Sequence, residues 1–359
     1  MRFGAILLGI VILFSCLERQ QDQLLPGAVI QTIKPQYAKG FEIQVLADST
    51  KRIVLFNLEK EGDTLQIINW NNDAVKDIAC LSTTHIAILN KLNSLNKVRA
   101  VGFADMVRNP EAMKLIDEGK IINLSSGHDV DDEILYSVNP DLFFIYPFDG
   151  SDIGKYESKG IRCVQVSEYL ERHPLARAEW IKLFAVFLDA EDKATLVFSE
   201  MERRYLEAKE DFTDHDSLRP TVFTGSYENG IWFAPPGNSF VGQLLKDAGA
   251  KYIFEDSIST SNISLQFEEL FEKAYEVDWW GKVVYEEGEL TLEKISESDE
   301  RYAQLKSFRE RQIFYCNASE VDYFGDALME PDVLLKDLIL IFHPESAPGH
   351  KAKYFRRIE

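Results

Sequence analysis

The sequence predicts an α/β protein: two Rossmann-like lobes with mainly parallel sheets, joined by a long interdomain α-helix. Three observations carry that prediction. Strand-like and helix-like segments alternate from Val75 to Ser167, no strand pattern occurs between His173 and Phe212, and the alternation resumes after Pro220. Strands that alternate with helices at this spacing need crossover connections, which give parallel sheets with ligand-binding loops at the strand C-termini.

The elements follow in order. "VKDIACLS" reads as the first strand of the first lobe, and "TTHIAILNKLNSL" puts Ile86, Leu89 and Leu92 on one helical face with Thr83 or Thr84 as the cap. "KVRAVGF" is the next strand, and Asn109-Pro110 with Gly119 bounds a short helix, "PEAMKLIDE". "IINLSS" and "DLFFIYPF" are strands on either side of the helix "VDDEILYSV", and "GIRCVQVS" completes the set. "PLARAEWIKLFAVFLD" reads as one helix and "AEDKATLVFSEMERRYLEAKEDF" as a second, with Asp189 capping the junction. The second is about 34 Å long at 1.5 Å per residue, enough to span two lobes. In the second lobe "PTVFTGSY", "AKYIFED", "DWWGKVVYE" and "QIFYCN" are strands. "SFVGQLLKDAG", "LQFEELFEKAYEV" and "EPDVLLKDLILIFHP" are its helices. No repeat of fixed period occurs, so the duplication is architectural. Ahead of the first lobe, "FEIQVLADSTKRIVLFNLEKEGDTLQII" alternates apolar and polar positions, the signature of an antiparallel meander.

The chain has 359 residues, 45% hydrophobic and 27% charged, an ordinary globular mixture. Its 39 Lys and Arg against 59 Asp and Glu leave a formal charge of -20, which repels a phosphate backbone and argues against nucleic acid as a partner. Four cysteines, Cys16, Cys80, Cys163 and Cys316, form no C-x-x-C pair. Cys80 and Cys163 sit in strand-like segments as small core side chains. Arg2 followed by the uncharged stretch Phe3 to Ser15 reads as an export signal, too short for a bilayer span of about 20 residues. "LFSC" resembles a bacterial lipobox with Phe14 bulkier than usual, which implies Cys16 as the acylated anchor; a plain secretory signal with an incidental cysteine is the alternative. Acyl chains at about 0.8 kcal/mol per buried methylene hold such a protein on a membrane. The expected organisation is a signal at 1–16, a flexible tether at 17–34, a first lobe at 35–172, a helical linker at 173–217 and a second lobe at 218–359.

Two lobes on one long helix behind such a signal resemble the periplasmic solute-binding proteins that hand iron-siderophores, haem or cobalamin to ABC importers. "LSTTHIAILNKL", "VNPDLFFIYPF", "GIWFAPPGNSFVGQLLKDAGAKYIFED" and "PDVLLKDLILIFHPE" resemble that family locally, whereas "VDYF" at Val321 to Phe324 departs from its Asn-Asp-Tyr-Trp. The resemblance implies a monomeric binding protein with no cofactor of its own, anchored in the bacterial periplasm. Its cargo would be an iron complex, a siderophore or haem, delivered to an ABC permease dimer. Cobalamin transport and a non-transport interaction module are the alternatives. A stiff helix between the lobes implies limited closure and a nearly pre-formed pocket with wide apolar walls.

The candidate ligand-binding residues lie in loops after strands. Thr83, Thr84, His85, Phe103, Arg108, Tyr146 and Phe148 belong to the first lobe; Tyr227, Trp232, Phe233, Trp279, Trp280 and Tyr323 belong to the second. Their aromatic faces suit a catecholate, porphyrin or corrin, and Arg108 suits an acidic oxygen. Trp232 ranks first, because "ENGIWFAPPGNS" reads as a loop. At least one of Trp279 and Trp280 reads as core, Thr83 and Thr84 suit a helix cap, and His85 also suits a structural role. Glu133 and Glu268 occupy matching places near a helix start in each lobe. The resemblance assigns such acids to docking on permease arginines, and the helix dipole alone also favours them, by about 0.3 to 1 kcal/mol each. For an enzyme the motifs are missing. "GNSFVG" has Val241 where a hydrolase elbow needs glycine, no phosphate-binding glycine loop occurs, and the six histidines lack metal-site spacing.

Overall fold

Alternating side chains open the described chain as an antiparallel sheet of β1 (Val29–Ile33), β2 (Phe41–Leu46), β3 (Lys51–Phe56) and β4 (Thr64–Trp70), in that spatial order. The computed structural model describes residues 27–126, 129–147, 152–213 and 219–359, the side chains of 211–213 excepted. Phe41, Ile43, Ile53, Leu55 and Trp70 form the buried face of this sheet. The segment expected to be tether therefore ends in a strand. All five residues of β1 are exposed, so backbone pairing with β2 defines it, and no apolar periodicity marks it in the sequence.

The first parallel sheet has the order β11-β10-β5-β6-β7. Its strands are β5 (Ile78–Cys80), β6 (Val98–Val101), β7 (Ile122–Asn123), β10 (Leu142–Ile145) and β11 (Arg162–Gln165), and β8 (Ser125–Ser126) with β9 (Asp129–Val130) makes a small hairpin beside it. Helices α1 (Thr83–Lys91), α2 (Pro110–Asp117), α3 (Asp132–Val138) and α4 (Gly154–Glu157) supply the crossovers. Ser82, rather than Thr83 or Thr84, caps α1: its hydroxyl accepts from the Thr84 amide. Asn109 caps α2 as the sequence predicts, with Pro110 in the first turn. The chain leaves β5 to β6 on one side and returns to β10 on the other, so a topological switch point opens at the C-terminal end of β5.

Three helices follow: α5 (Pro174–Glu179), α6 (Ile181–Leu188) and α7 (Glu191–Thr213). The single helix expected over 174–189 is interrupted by a turn at Trp180, and Asp189 closes α6 in the left-handed region. The 23-residue α7 is the brace. It buries Ala194, Phe198, Met201, Tyr205 and Ala208, spaced alternately four and three apart along one seam. At its start Glu191 pairs with Lys51, and at its middle Glu202 accepts from the Tyr37 hydroxyl at 2.6 Å. From the middle onward Arg204 meets Asp332 at 2.6 Å, and Tyr205 and Lys209 both reach Asp247, at 2.7 and 2.9 Å.

The second lobe repeats the scheme with β12 (Thr221–Thr224), β15 (Lys251–Tyr252), β17 (Trp279–Val284), β18 (Ile313–Asn317) and β19 (Arg356–Arg357), in the order β15-β12-β17-β18-β19. Only β19 runs antiparallel. A second sheet joins β13 (Ser226–Glu228), β14 (Ile231–Ala234) and β16 (Ile263–Gln266). Helices α8 (Phe240–Asp247), α9 (Phe267–Ala274), α10 (Leu292–Ser298), α11 (Lys306–Arg309) and α12 (Pro331–Phe342) cover the lobe. Cys80, Cys163 and Cys316 are buried and unpaired, and Cys16 lies outside the described residues.

Two buried carboxylates fasten the N-terminal sheet to the brace region. Glu179, wholly buried, accepts from the amides of Gln36, Tyr37 and Ala38 at 2.7 to 2.9 Å and from the Lys182 ammonium at 2.6 Å. Glu171 accepts from the amides of Lys39 and Gly40 and from the Trp180 indole. A side chain at Gly40 would strike the Trp180 ring, so only glycine lets the backbone come this close. Removing a partner from a buried charged cluster costs about 3 to 5 kcal/mol. Glu179→Ala is therefore expected to lose that much stability in urea unfolding, with faster proteolysis between Lys34 and Lys39. Unchanged unfolding would show that the clasp contributes nothing.

Candidate ligand cleft between the lobes

The loops at the switch point of the first sheet face the loop after β18, and a cavity of about 480 Å³ lies between them. Leu81 to Thr84 follow β5, Phe103 follows β6, Tyr146 follows β10, and Glu168 and Tyr169 follow β11. Tyr323, Phe324, Ala327 and Leu328 come from the second lobe, Pro331 and Leu334 from α12, Pro174 and Arg177 from α5, and Phe240 from α8. Phe103 adopts a left-handed backbone at φ 55°, uncommon for a bulky side chain, and Ser125 holds it there by accepting from its amide at 2.8 Å.

One rim of the cleft is latched. The Thr83 hydroxyl donates to the Phe324 carbonyl at 2.6 Å, the Asn109 amide donates to Asp326 at 3.1 Å, and Lys91 pairs with Glu330 at 3.4 Å. Inside, the walls are largely apolar and two charged groups stand out. Glu168 is 2% exposed; one carboxylate oxygen accepts from Thr84 at 2.5 Å and the other has no partner among the described residues. Burial pushes its carboxyl up from the usual range. Arg177 lies with its guanidinium 4.1 Å from the centre of the Phe240 ring, and its buried Nε has no partner among the described residues. Loss of water lowers its pKa, partly offset by the charge of Glu168. A half-buried guanidinium stacked on a ring and open to a cavity is arranged to meet an acidic group.

Of the expected site residues, Thr83, Thr84, Phe103, Tyr146 and Tyr323 line this cavity. The others lie elsewhere. His85 points inward from α1 between Phe144 and Phe184, wholly buried, and burial drives its pKa down to about 3. Arg108 folds back to donate to the carbonyls of Asp105 and Val107. Trp232 is wholly buried between Phe223 and Trp280, with its indole donating to Thr224 at 3.3 Å. Its segment is not a loop: Asn229 and Gly230, both at positive φ, turn a tight hairpin, and β14 pairs with β13 and β16 on its two sides. Trp280 is also core, stacked on Phe223 at 5.4 Å, and Trp279 is buried beside it. Tyr227 is exposed on β13 against the Phe267 ring, and Phe233 lines a separate, smaller cavity. Glu133 and Glu268 are exposed in the first turns of α3 and α9, the latter 3.4 Å from Arg301. Phe148 lies outside the described residues.

Glu168 and Arg177 escape the reading by motif, yet a signal exists. Glu168 sits immediately beyond a predicted strand, and Arg177 lies among Leu175, Ala176 and Ala178 in the first turns of a predicted helix.

Residues 78–320 match the family described as periplasmic binding protein. The chain belongs to the periplasmic binding protein family. Members of that family bind substrates rather than turn them over. The chain is 28% identical to an uncharacterized lipoprotein of Methanocaldococcus jannaschii over 308 residues, 83% of this chain and 71% of the relative. Among solved structures it resembles a periplasmic haem-binding protein of Pseudomonas aeruginosa, with a TM-score of 0.64 and 14% identity over 80% of this chain and 99% of that one. CeuE of Helicobacter pylori, in a complex described as containing nickel and histidine, gives 0.63 and 14% over 83% and 90%. These likenesses establish the two-lobe periplasmic binding protein fold with its connecting helix. The sheet β1 to β4 precedes the matched residues.

Beside the cleft, burial and the nearby charge of Asp326 push the Asp322 carboxyl up to about 6, with Arg108 and Lys353 opposing. A carboxyl raised in the folded state withdraws stability as pH climbs from the unfolded value of about 4 through 6. Asp322→Asn is expected to gain about 1 to 2 kcal/mol over the parent at pH 8 and little at pH 4. Unfolding at the two pH values measures the difference; equal gains would remove the ionisation account.

Proposed function

We propose that this periplasmic binding protein takes a metal chelate, a ferric siderophore or haem, and hands it to an ABC permease dimer. It would work outside the cytoplasm, held to the membrane by lipid on Cys16. The single observation that carries the reading is the interlobe cavity of about 480 Å³, with aromatic and aliphatic walls and one guanidinium, Arg177, among them. Apolar walls with few placed polar groups suit a large, flat or globular cargo, and Arg177 would neutralise an acidic oxygen on it. The likeness to the haem-binding protein of Pseudomonas aeruginosa and to the nickel complex of Helicobacter pylori CeuE supports a metal-bearing cargo. The lipoprotein of M. jannaschii supports the anchor. Glu133 and Glu268 stand exposed at corresponding helix starts in the two lobes, as docking on a pair of permease arginines requires. Cobalamin remains the second reading of the cargo, favoured by the same apolar walls.

An absorbance scan and native mass spectrum of freshly purified protein, followed by titration with haem, ferric siderophores and cobalamin, test the proposal. Saturable one-to-one binding of one of them is expected, weakened at least tenfold by Arg177→Met. Failure of every metal-bearing ligand to bind would overturn it.

A further inference from the structure

A second cavity, of about 200 Å³, lies in the other lobe at the C-terminal ends of β12 and β17. Thr224, Ser226, Asn262 and Lys282 give it its polar groups. Tyr323 lines both this cavity and the larger one. Its ring stands edge-on to Phe324, a wall of the first, at 5.2 Å, and to Phe355, a wall of the second, at 5.8 Å. One side chain therefore partitions two spaces. Among the described residues, Lys282 is the only Lys, Arg, Asp or Glu lining the second.

The Lys282 ammonium sits 4.3 Å from the centre of the Trp280 ring and has no ion pair or hydrogen bond among the described residues. Loss of water lowers its pKa to about 8, partly countered by Glu286, which itself lies 3.5 Å from Lys294. An ammonium held against an aromatic face, with hydroxyls and an amide around it and no carboxylate attached, lacks the counter-ion that such a setting calls for.

We propose that the cleft has two chambers, and that the smaller one takes an acidic arm of the cargo, a carboxylate or sulfonate on an apolar stem, which pairs with Lys282 while the body of the cargo fills the larger. This deepens the reading of the cleft as a cargo site and rests on it for the nature of the body. Parallel sheets bind ligands at their C-terminal edges, and each chamber stands at that edge of one lobe.

Two naphthalene dyes of similar shape test it: anionic 8-anilinonaphthalene-1-sulfonate and neutral N-phenyl-1-naphthylamine, each titrated by fluorescence. The wild-type protein is expected to bind the sulfonate at least fivefold more tightly. Lys282→Met should abolish that preference while leaving the neutral dye unchanged, and Lys282→Arg should keep it. Absence of a preference in the wild type, its survival in Lys282→Met, or equal weakening of both dyes in a variant with an unchanged unfolding midpoint overturns the assignment. Should Lys282→Met unfold, Lys282→Gln is judged by the same criteria. A protein that shows the dye preference but binds no metal chelate would lose the cargo reading and keep the chamber.

Discussion

The apolar seam along α7 is the constraint on which the rest of the molecule depends. Ala194, Phe198, Met201, Tyr205 and Ala208 belong to the same continuous cluster of buried residues that includes Ile78 and Phe144 in one sheet and Phe223 and Trp280 in the other. Such a core is close-packed and resists gradual deformation. Contacts of Glu191 and Glu202 with Lys51 and Tyr37, and of Arg204, Tyr205 and Lys209 with Asp332 and Asp247 of the second lobe, fix how the helix is seated. The two switch-point edges are consequently tied to one shared core.

Much of this fold is legible because its periodic signals are local. The brace runs from Glu191 to Thr213 against an expected 190–212, because a long amphipathic stripe needs no distant partner to declare itself. The errors fall where the partner is remote. Leu265 and Gln266 look like the start of α9 but pair as β16 with Trp232 and Ile231. β1 is a strand only because β2 lies beside it. The expected strand "PTVFTGSY" is broken at Gly225, where the chain passes from the parallel sheet to the antiparallel one.

The cleft was legible by position and misread by residue type. Thr84, Phe103, Tyr146 and Tyr323 all stand just beyond strands of the parallel sheets, where the topology puts a ligand. Trp232 and Trp280 offer ring faces to a ligand, and Trp232 sits in a segment that reads as a loop, but indoles with that much apolar area are worth most in a core, and the structure buries both. Arg177 carries no motif: its charge on α5 gains a role only where Phe240, Tyr323 and α12 supply the other walls.

The distance between Glu168 and Arg177 has a consequence for selectivity. Both face the same cavity without forming an ion pair, so each charge only partly offsets the other's loss of water, and Arg177 Nε and one Glu168 oxygen keep no hydrogen-bond partner among the described residues. A greasy intruder of the right shape would strip water from the guanidinium and return nothing, and discrimination then comes from penalising the wrong visitor as much as from holding the right one. Walls whose shape suits many molecules thus carry, at Arg177, one cation that asks for a specific partner.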